Sequence, residues 1–330
     1  MQNFAKNCLV NFKSFVIFHT INAKKQCIFE IHCFFLFCTV FSILQYCAKS
    51  VICPTGEDLP FFLVYLREKW YNAYTMLTVT PLFSGSRGNC TLIRTDNTAV
   101  LLDAGYGFKA IQSKLKDLGI SPQEISAIVV THEHSDHVSA LPVWSRRYRT
   151  KVFAPPLTST YLSMQGVYNI QEVKGSFQVD DLTVFPYQCS HDARNCFGYR
   201  FTAGNNSVAS VTDTGEASAE LVPFLAPCNT IILESNHDLD MLWNGDYPFY
   251  LKNRINSKYG HLSNTQAAEV LCKLIGSNVK NVILAHLSQQ NNTKTLALTS
   301  ATEMYAKNGV KVGADVNVYV ADQYFNEITI

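Results

Sequence analysis

The stretch VVTHEHSDHVSAL, residues 129–141, carries four side chains that can hold a metal ion. His132, His134, Asp136 and His137 fall within six consecutive positions. A single tetrahedral ion cannot take all four from so short a piece and still keep an open position for chemistry. The spacing therefore implies two ions. His132 and His134 alternate by two in an extended loop, so both rings can converge on one ion. Asp136 and His137 then fall to a second. Neither pair fills a coordination sphere, so more ligands must come from elsewhere in the chain.

The elements around the motif suggest where. Residues 127–130, AIVV, form a continuous apolar run, as expected of a strand buried on both faces. The HEHSDH loop follows at its carboxyl end, which is where ligand sites of open α/β sheets lie. Other predicted strands end in the same way. TVFPYQCSH (183–191) ends in His191 and SVASVTD (207–213) in Asp213. NTIILESNHD (229–238) ends with Glu234, His237 and Asp238, and NVILAH (281–286) with His286. Seven of the nine histidines lie in these tails or in the loop GHLSN, residues 260–264. Upstream, residues 77–83, 90–95 and 99–105 read as strands, with a turn at 84–89 and another at Asp96 and Asn97. Residues 109–118 have helical spacing, and Gly119 ends that helix.

The expected assembly places one ion on His132, His134 and His191, and the other on Asp136, His137 and His286. Asp213 and a water or hydroxide would bridge them. Two divalent ions, two carboxylates and one hydroxide leave a charge of about +1, which favours an anionic substrate such as a phosphodiester. Bound water would ionise near pH ~7 and supply the attacking hydroxide. Nitrogen and oxygen ligands suit zinc, manganese or iron. Glu234 and His237 are expected to support ligands rather than bind metal.

This constellation resembles the metallo-β-lactamase superfamily. HEHSDH matches its HxHxDH motif, and His191, Asp213 and His286 match in order. The resemblance spans residues 76–330. It implies an α/β fold, a four-layer αββα sandwich with the metals at one edge between the sheets. A lactamase role is not expected, because Asp213 stands where zinc lactamases commonly carry cysteine. GHLSN precedes a helical run, and Ser263 with Gln266 has capping-box spacing. The free N–H groups of such a helix start favour phosphate. The loop resembles the His-Ser-Thr element of tRNA 3′-processing nucleases, which implies that His261 protonates the leaving oxygen.

Longer strings, SGSRGNCTLI, LLDAG, SHDA, TDTG, ESNHD, YPFYLKNRI, GHLSN and AHLSQQNN, are similar to the YycJ/WalJ-like bacterial enzymes. That resemblance implies a metal-dependent 5′-to-3′ exonuclease acting on DNA. Arg87 departs from it, where the first loop usually has a second serine. Lys252, Arg254, Ser263, Asn291 and Asn292 are the expected substrate contacts, and the cluster Arg146, Arg147, Arg149 and Lys151 is a further candidate. A tRNA-processing role is disfavoured, since residues 154–179 contain no Gly-rich arm. A small-molecule phosphodiesterase or thioesterase stands as the alternative, and a regulatory binding protein with a vestigial site stands behind it.

Bulk composition sets outer bounds. The chain has 330 residues, 47% hydrophobic and 16% charged, enough for a full core and without a low-complexity tract. Net charge is +1, so overall charge does not mark a nucleic-acid binder. Eleven scattered cysteines read as reduced thiols in a cytoplasmic protein rather than a disulfide framework. Residues 1–75 differ from the rest, with a dense apolar run, CFFLFCTVFSIL, at 33–44. That run is short for a membrane span, so no stable membrane association of the core is expected. The segment is a membrane or targeting element, an extra packed element, or not part of the working protein. The last is favoured, because Met76 directly precedes the first strand of a self-sufficient pattern.

Overall fold

Alternating inward and outward apolar residues build two sheets in the computed structural model, which describes residues 76–321. The readings made of residues 1–75 lie outside the described residues. The first sheet runs in the order β1 (Thr78–Phe83), β2 (Cys90–Arg94), β3 (Ala99–Leu102), β4 (Ala127–Val129), β5 (Lys151–Ala154) and β6 (Ile170–Glu172). β1 to β3 pair antiparallel, and β3 to β6 pair parallel. The second sheet contains β7 (Phe177–Val179), β8 (Leu182–Gln188), β9 (Phe197–Ala203), β10 (Asn206–Val211), β11 (Thr230–Glu234), β12 (Asn281–Ala285) and β13 (Asn317–Val320), also in sequence order. Here β7 to β10 pair antiparallel and β10 to β13 parallel.

The period of two along each strand assigns its faces. Val100, Leu102, Ala127 and Val129 of the first sheet share one buried cluster with Val208, Ile232, Ile283 and Ala285 of the second. Leu101 and Ile128 point the other way. They pack on Ile111 and Leu115 of α1 (Phe108–Asp117), Leu141 and Trp144 of α3 (Leu141–Tyr148), which follows the short α2 (Ser135–Val138), and Leu162 of α4 (Pro156–Met164). Ala209, Val211, Leu233 and Leu284 pack outward on α5 (Leu221–Leu225), α8 (Asn264–Lys273) and α9 (Lys294–Lys307). Two further helices, α6 (Leu239–Asn244) and α7 (Phe249–Ile255), lie between β11 and α8. Helix, sheet, sheet and helix thus form the expected four-layer αββα sandwich.

The topology brings the ligand-bearing tails together. β8 and β10 are both antiparallel to β9, so they run in the same sense. β10, β11 and β12 are mutually parallel. The carboxyl ends of β8, β10, β11 and β12 therefore share one edge, and β3 and β4 of the other sheet likewise end side by side. Among the described residues, no helix is long and apolar enough to cross a membrane.

Candidate metal centre

The HEHSDH segment changes direction in its middle. His134 is the extended residue capping α2, while Asp136 and His137 lie on that helix's first turn. The turn separates the two pairs. Residues flanking β2 and β3 clamp it in place: the Ala104 N–H, after β3, donates to the His137 carbonyl at 2.9 Å and the Asn89 N–H, before β2, to the Asp136 carbonyl at 2.7 Å. Gly105 makes this approach possible. A Cβ there would sit 1.6 Å from the Asp136 carbonyl oxygen.

Two nests of ligand atoms result. His132, His134 and His191 form the first, with ring centroids 4.5 Å apart for His132–His134 and 5.2 Å from each of these to His191. Asp136, His137 and His286 form the second. Asp136 Oδ2 lies 3.4 Å from His137 Nε2 and 3.7 Å from His286 Nε2. Asp213 reaches toward both nests, with Oδ2 3.3 Å from His137 Nε2 and Oδ1 3.8 Å from His191 Nε2.

The orphaned atoms test whether metal fits. His132 Nε2, His191 Nε2, His286 Nε2 and Asp213 Oδ2 are buried without a hydrogen-bond partner. Buried polar groups are almost always satisfied, and four orphans aimed at two nests are what ion binding would leave. The opposite ring nitrogens are anchored. His132 Nδ1 meets Thr131 Oγ1 at 3.0 Å, His137 Nδ1 meets Asp103 Oδ2 at 2.7 Å, His191 Nδ1 meets the Gly260 carbonyl at 3.0 Å, and His286 Nδ1 meets Glu234 Oε1 at 2.8 Å. Such anchors set the tautomer that frees Nε2 for a metal. The residues present fit two divalent ions.

Asp103, Asp213 and His286 have φ of 61°, 58° and 58°. The left-handed region is costly for residues with a Cβ. All three stand just past strand ends at the centre, so local strain is stored where the side chains must be aimed.

Charge follows the same plan. Burial and the neighbouring His137 and His191 charges push the His132 imidazolium well down, which leaves a neutral ring. Burial alone would also lower His286, but Asp213, Asp136 and Glu234 overcome it and push His286 up to about 10. Without metal, His286 is therefore a cation that offsets the buried carboxylates. Its folded pKa exceeds the ordinary 6.5, so its stabilisation is complete below about pH 6.5 and is lost as pH rises toward about 10. Thermal melts of chelator-treated protein should fall across that window. Metal-loaded protein, whose ions carry positive charge at every pH, should show a flatter profile.

Glu234 is engaged on both oxygens. Oε1 accepts from His261 Nδ1 and His286 Nδ1, each at 2.8 Å, and Oε2 accepts from the Thr214 and Leu262 N–H groups at 3.0 and 3.1 Å. These contacts let it aim both rings, although Glu234 with Asp213, His261 and His286 also forms a further group of metal-ligand type. His261 has Nδ1 committed to Glu234, which leaves Nε2 as the nitrogen available to a molecule in the cleft. That cleft, of about 270 Å³, is lined by His134, Asp136, His191, Asp213, His261 and His286 together with Ser86, Asn236, Tyr247, Leu251, Arg254, Ile255 and Ser288.

Several expected substrate contacts are placed elsewhere. Lys252 Nζ donates to the Trp243 and Gly245 carbonyls at 2.8 and 2.6 Å, so it ties α7 to the end of α6. Ser263 is buried and caps α8 in the expected capping box. Asn292 is buried and donates to the Ser235 and Asn236 carbonyls, and Asn291 is buried outside the cleft lining. His237 is fully buried and makes no hydrogen bond to a ligand. Of the five expected contacts, Arg254 alone lines the cleft, paired with Asp192 at 2.5 Å. Arg146, Arg147, Arg149 and Lys151 are absent from the cleft lining too.

Asp103, Thr131 and Gly105 escaped the sequence reading. Asp103 lies in LLDAG, where a strand-end aspartate beside β4 was the available signal. It accepts from the Thr131 N–H and hydroxyl at 2.8 and 2.9 Å as well as facing His137. Asp103→Asn should weaken metal affinity ~10- to 100-fold, measured by competition with a chelating dye.

The fold and the site together define a metal-dependent hydrolase of the metallo-β-lactamase fold. Residues 98–287 match the family model for the beta-lactamase superfamily domain. Exodeoxyribonuclease YycJ of Bacillus anthracis is 34% identical over 255 residues, covering 74% of this chain and 96% of that protein. Exodeoxyribonuclease WalJ of Streptococcus pneumoniae D39 is 34% identical over 249 residues, covering 72% and 91%. The crystal structure of the metallo-β-lactamase-fold protein YhfI from Bacillus subtilis shares the fold at 14% identity, with a TM-score of 0.59 over 76% of this chain and 99% of that one. The chain belongs to the beta-lactamase superfamily, in the branch that contains YycJ and WalJ.

Proposed function

We propose that this chain is a nuclease that hydrolyses phosphodiester bonds in DNA, working as a 5′-to-3′ exonuclease in the cytoplasm with two zinc or manganese ions. The observation that carries the reading is the pairing of a two-nest centre with His261 on one cleft wall, in a chain that spans nearly the full length of two proteins named exodeoxyribonucleases. The ions would supply positive charge for the phosphate oxygens and a water acidic enough to ionise near neutral pH.

The protein's own groups do the rest. His132, His134 and His191 would hold one ion. Asp136, His137 and His286 would hold the other, with Asp213 between them. Glu234 fixes the ring of His261, so that Nε2 meets the departing oxygen and gives it a proton. Arg254 stands at the cleft to meet a phosphate along the strand. The free cysteines among the described residues, such as Cys189 and Cys196, support a reducing compartment.

The full chain, loaded with Mn²⁺ or Zn²⁺, should be given end-labelled single- and double-stranded DNA and RNA, with and without a 5′-phosphate. Shortening of DNA from its 5′ end is expected. Turnover of a small diester with every polymer left intact would overturn the nuclease reading in favour of a small-molecule phosphodiesterase.

A further inference from the structure

Helix α7 has no buried residue. A surface helix ordinarily turns an apolar stripe inward, yet here Phe249 and Tyr250 are 73% and 75% exposed. Trp243, at the end of α6, is 39% exposed, and its ring lies 6.3 Å from that of Phe249. Burial in the core does not account for these rings. They are nevertheless held in place, because Lys252 fastens α7 to the Trp243 and Gly245 carbonyls and the His261 N–H donates to the Ile255 carbonyl at 2.9 Å.

The position of this ridge points to its occupant. Leu251, Arg254 and Ile255 of the same helix line the metal cleft, together with Tyr247 just before it. The ridge is thus continuous with the cleft wall. Residues 247–259 contain Lys252, Arg254 and Lys258 and no acidic residue. Exposed flat rings beside cations can hold single strands, bases stacking on the rings and phosphates meeting the cations. Lys252 is held by two carbonyls, which leaves Lys258 and the cleft-lining Arg254, whose Nε pairs with Asp192, as the cations beside these rings. Asp240 and Asp246 flank the ridge, so it is the position beside the metal cleft, more than charge, that favours a strand entering that cleft over a second copy of the chain.

We infer that Trp243, Phe249 and Tyr250 form a stacking platform for the unpaired bases of a nucleic-acid strand whose scissile phosphate lies in the metal cleft. This rests on the nuclease reading and extends it, since it assigns the substrate an unpaired end. Stacking is indifferent to base identity, so the platform would grip any sequence. It would favour frayed or single-stranded ends over flush, fully paired ones.

The test compares the metal-loaded full chain with Phe249→Ser/Tyr250→Ser and with the aromatic exchange Phe249→Tyr/Tyr250→Phe. KM for an oligonucleotide with an unpaired end should rise about 10-fold or more in the serine variant and stay near wild type in the exchange. Bound metal per chain should be equal in all three. A non-cleavable phosphorothioate oligonucleotide should quench tryptophan emission of the wild type, and Trp243→Phe should remove most of that quench. An unchanged KM in the serine variant overturns the platform. So does an oligomer that dissociates in that variant without a change in KM, which would make the ridge a contact between copies. A wild type that binds the phosphorothioate strand on this ridge yet cleaves no polymer would instead remove the nuclease reading and leave the platform standing.

Discussion

Asp213→Ala should lose about 10³-fold or more in phosphodiester turnover and hold fewer than two metal equivalents per chain. The carboxylate reaches both nests, 3.3 Å from His137 Nε2 with one oxygen and 3.8 Å from His191 Nε2 with the other. It is also buried, with Oδ2 orphaned. Its charge faces His137 and raises His286 in the metal-free protein, but that oxygen accepts no hydrogen bond there. Under the proposed assignment, removing it would take a shared ligand from both ions and a negative charge from among cations. Asp213→Asn separates the two losses, since it keeps the shape and removes the charge. Metal analysis beside turnover settles the matter. Two tightly bound ions with undiminished turnover in Asp213→Ala would show that the two nests do not depend on a bridge.

His261→Ala should keep its metal and lose ~10²- to 10⁴-fold in kcat on a nucleic-acid substrate. The ring lies on the cleft wall, and its Nδ1 is held by Glu234 at 2.8 Å. If Nε2 protonates the departing oxygen, the loss must depend on how much that oxygen needs a proton. A p-nitrophenyl diester has a leaving group stable as an anion, so the variant should be only mildly impaired on it. Equal impairment on both substrates would assign His261 to phosphate binding alone. Glu234→Gln gives a useful contrast, because the same carboxylate oxygen also anchors His286 at 2.8 Å. That variant should impair metal retention as well as turnover, whereas His261→Ala should impair turnover only.

Legibility varied with the range of the interaction. The HEHSDH spacing already divided its donors into two pairs, which fall in separate groups of ligand atoms, and β12, whose alternate residues enter two different cores, was legible as an apolar run ending in His286. The capping box of Ser263 and Gln266 was likewise local and formed as read. Four of the expected substrate contacts lie outside the cleft lining for the opposite reason. Asn291 and Asn292 follow a ligand closely in sequence, but both are buried, and Asn292 donates to the Ser235 and Asn236 carbonyls instead. Lys252 carries a charge suited to phosphate, yet two carbonyls of α6 and its end claim it. Nearness in sequence to a site is weak evidence of contact once the backbone curves away.

By itself, the sequence made the donors of the candidate centre legible: which side chains carry nitrogen and oxygen donors, and that they follow apolar strands. These are properties of residue type and short spacing, and they survive without knowledge of where distant segments meet. Only the tertiary structure decided which groups aim them. Asp103 reaches His137 across 34 positions and Glu234 reaches His286 across 52. Gly105 yields the space that Asp136 occupies. Such pairings depend on strand order and on the packing of two sheets face to face, which no local pattern encodes.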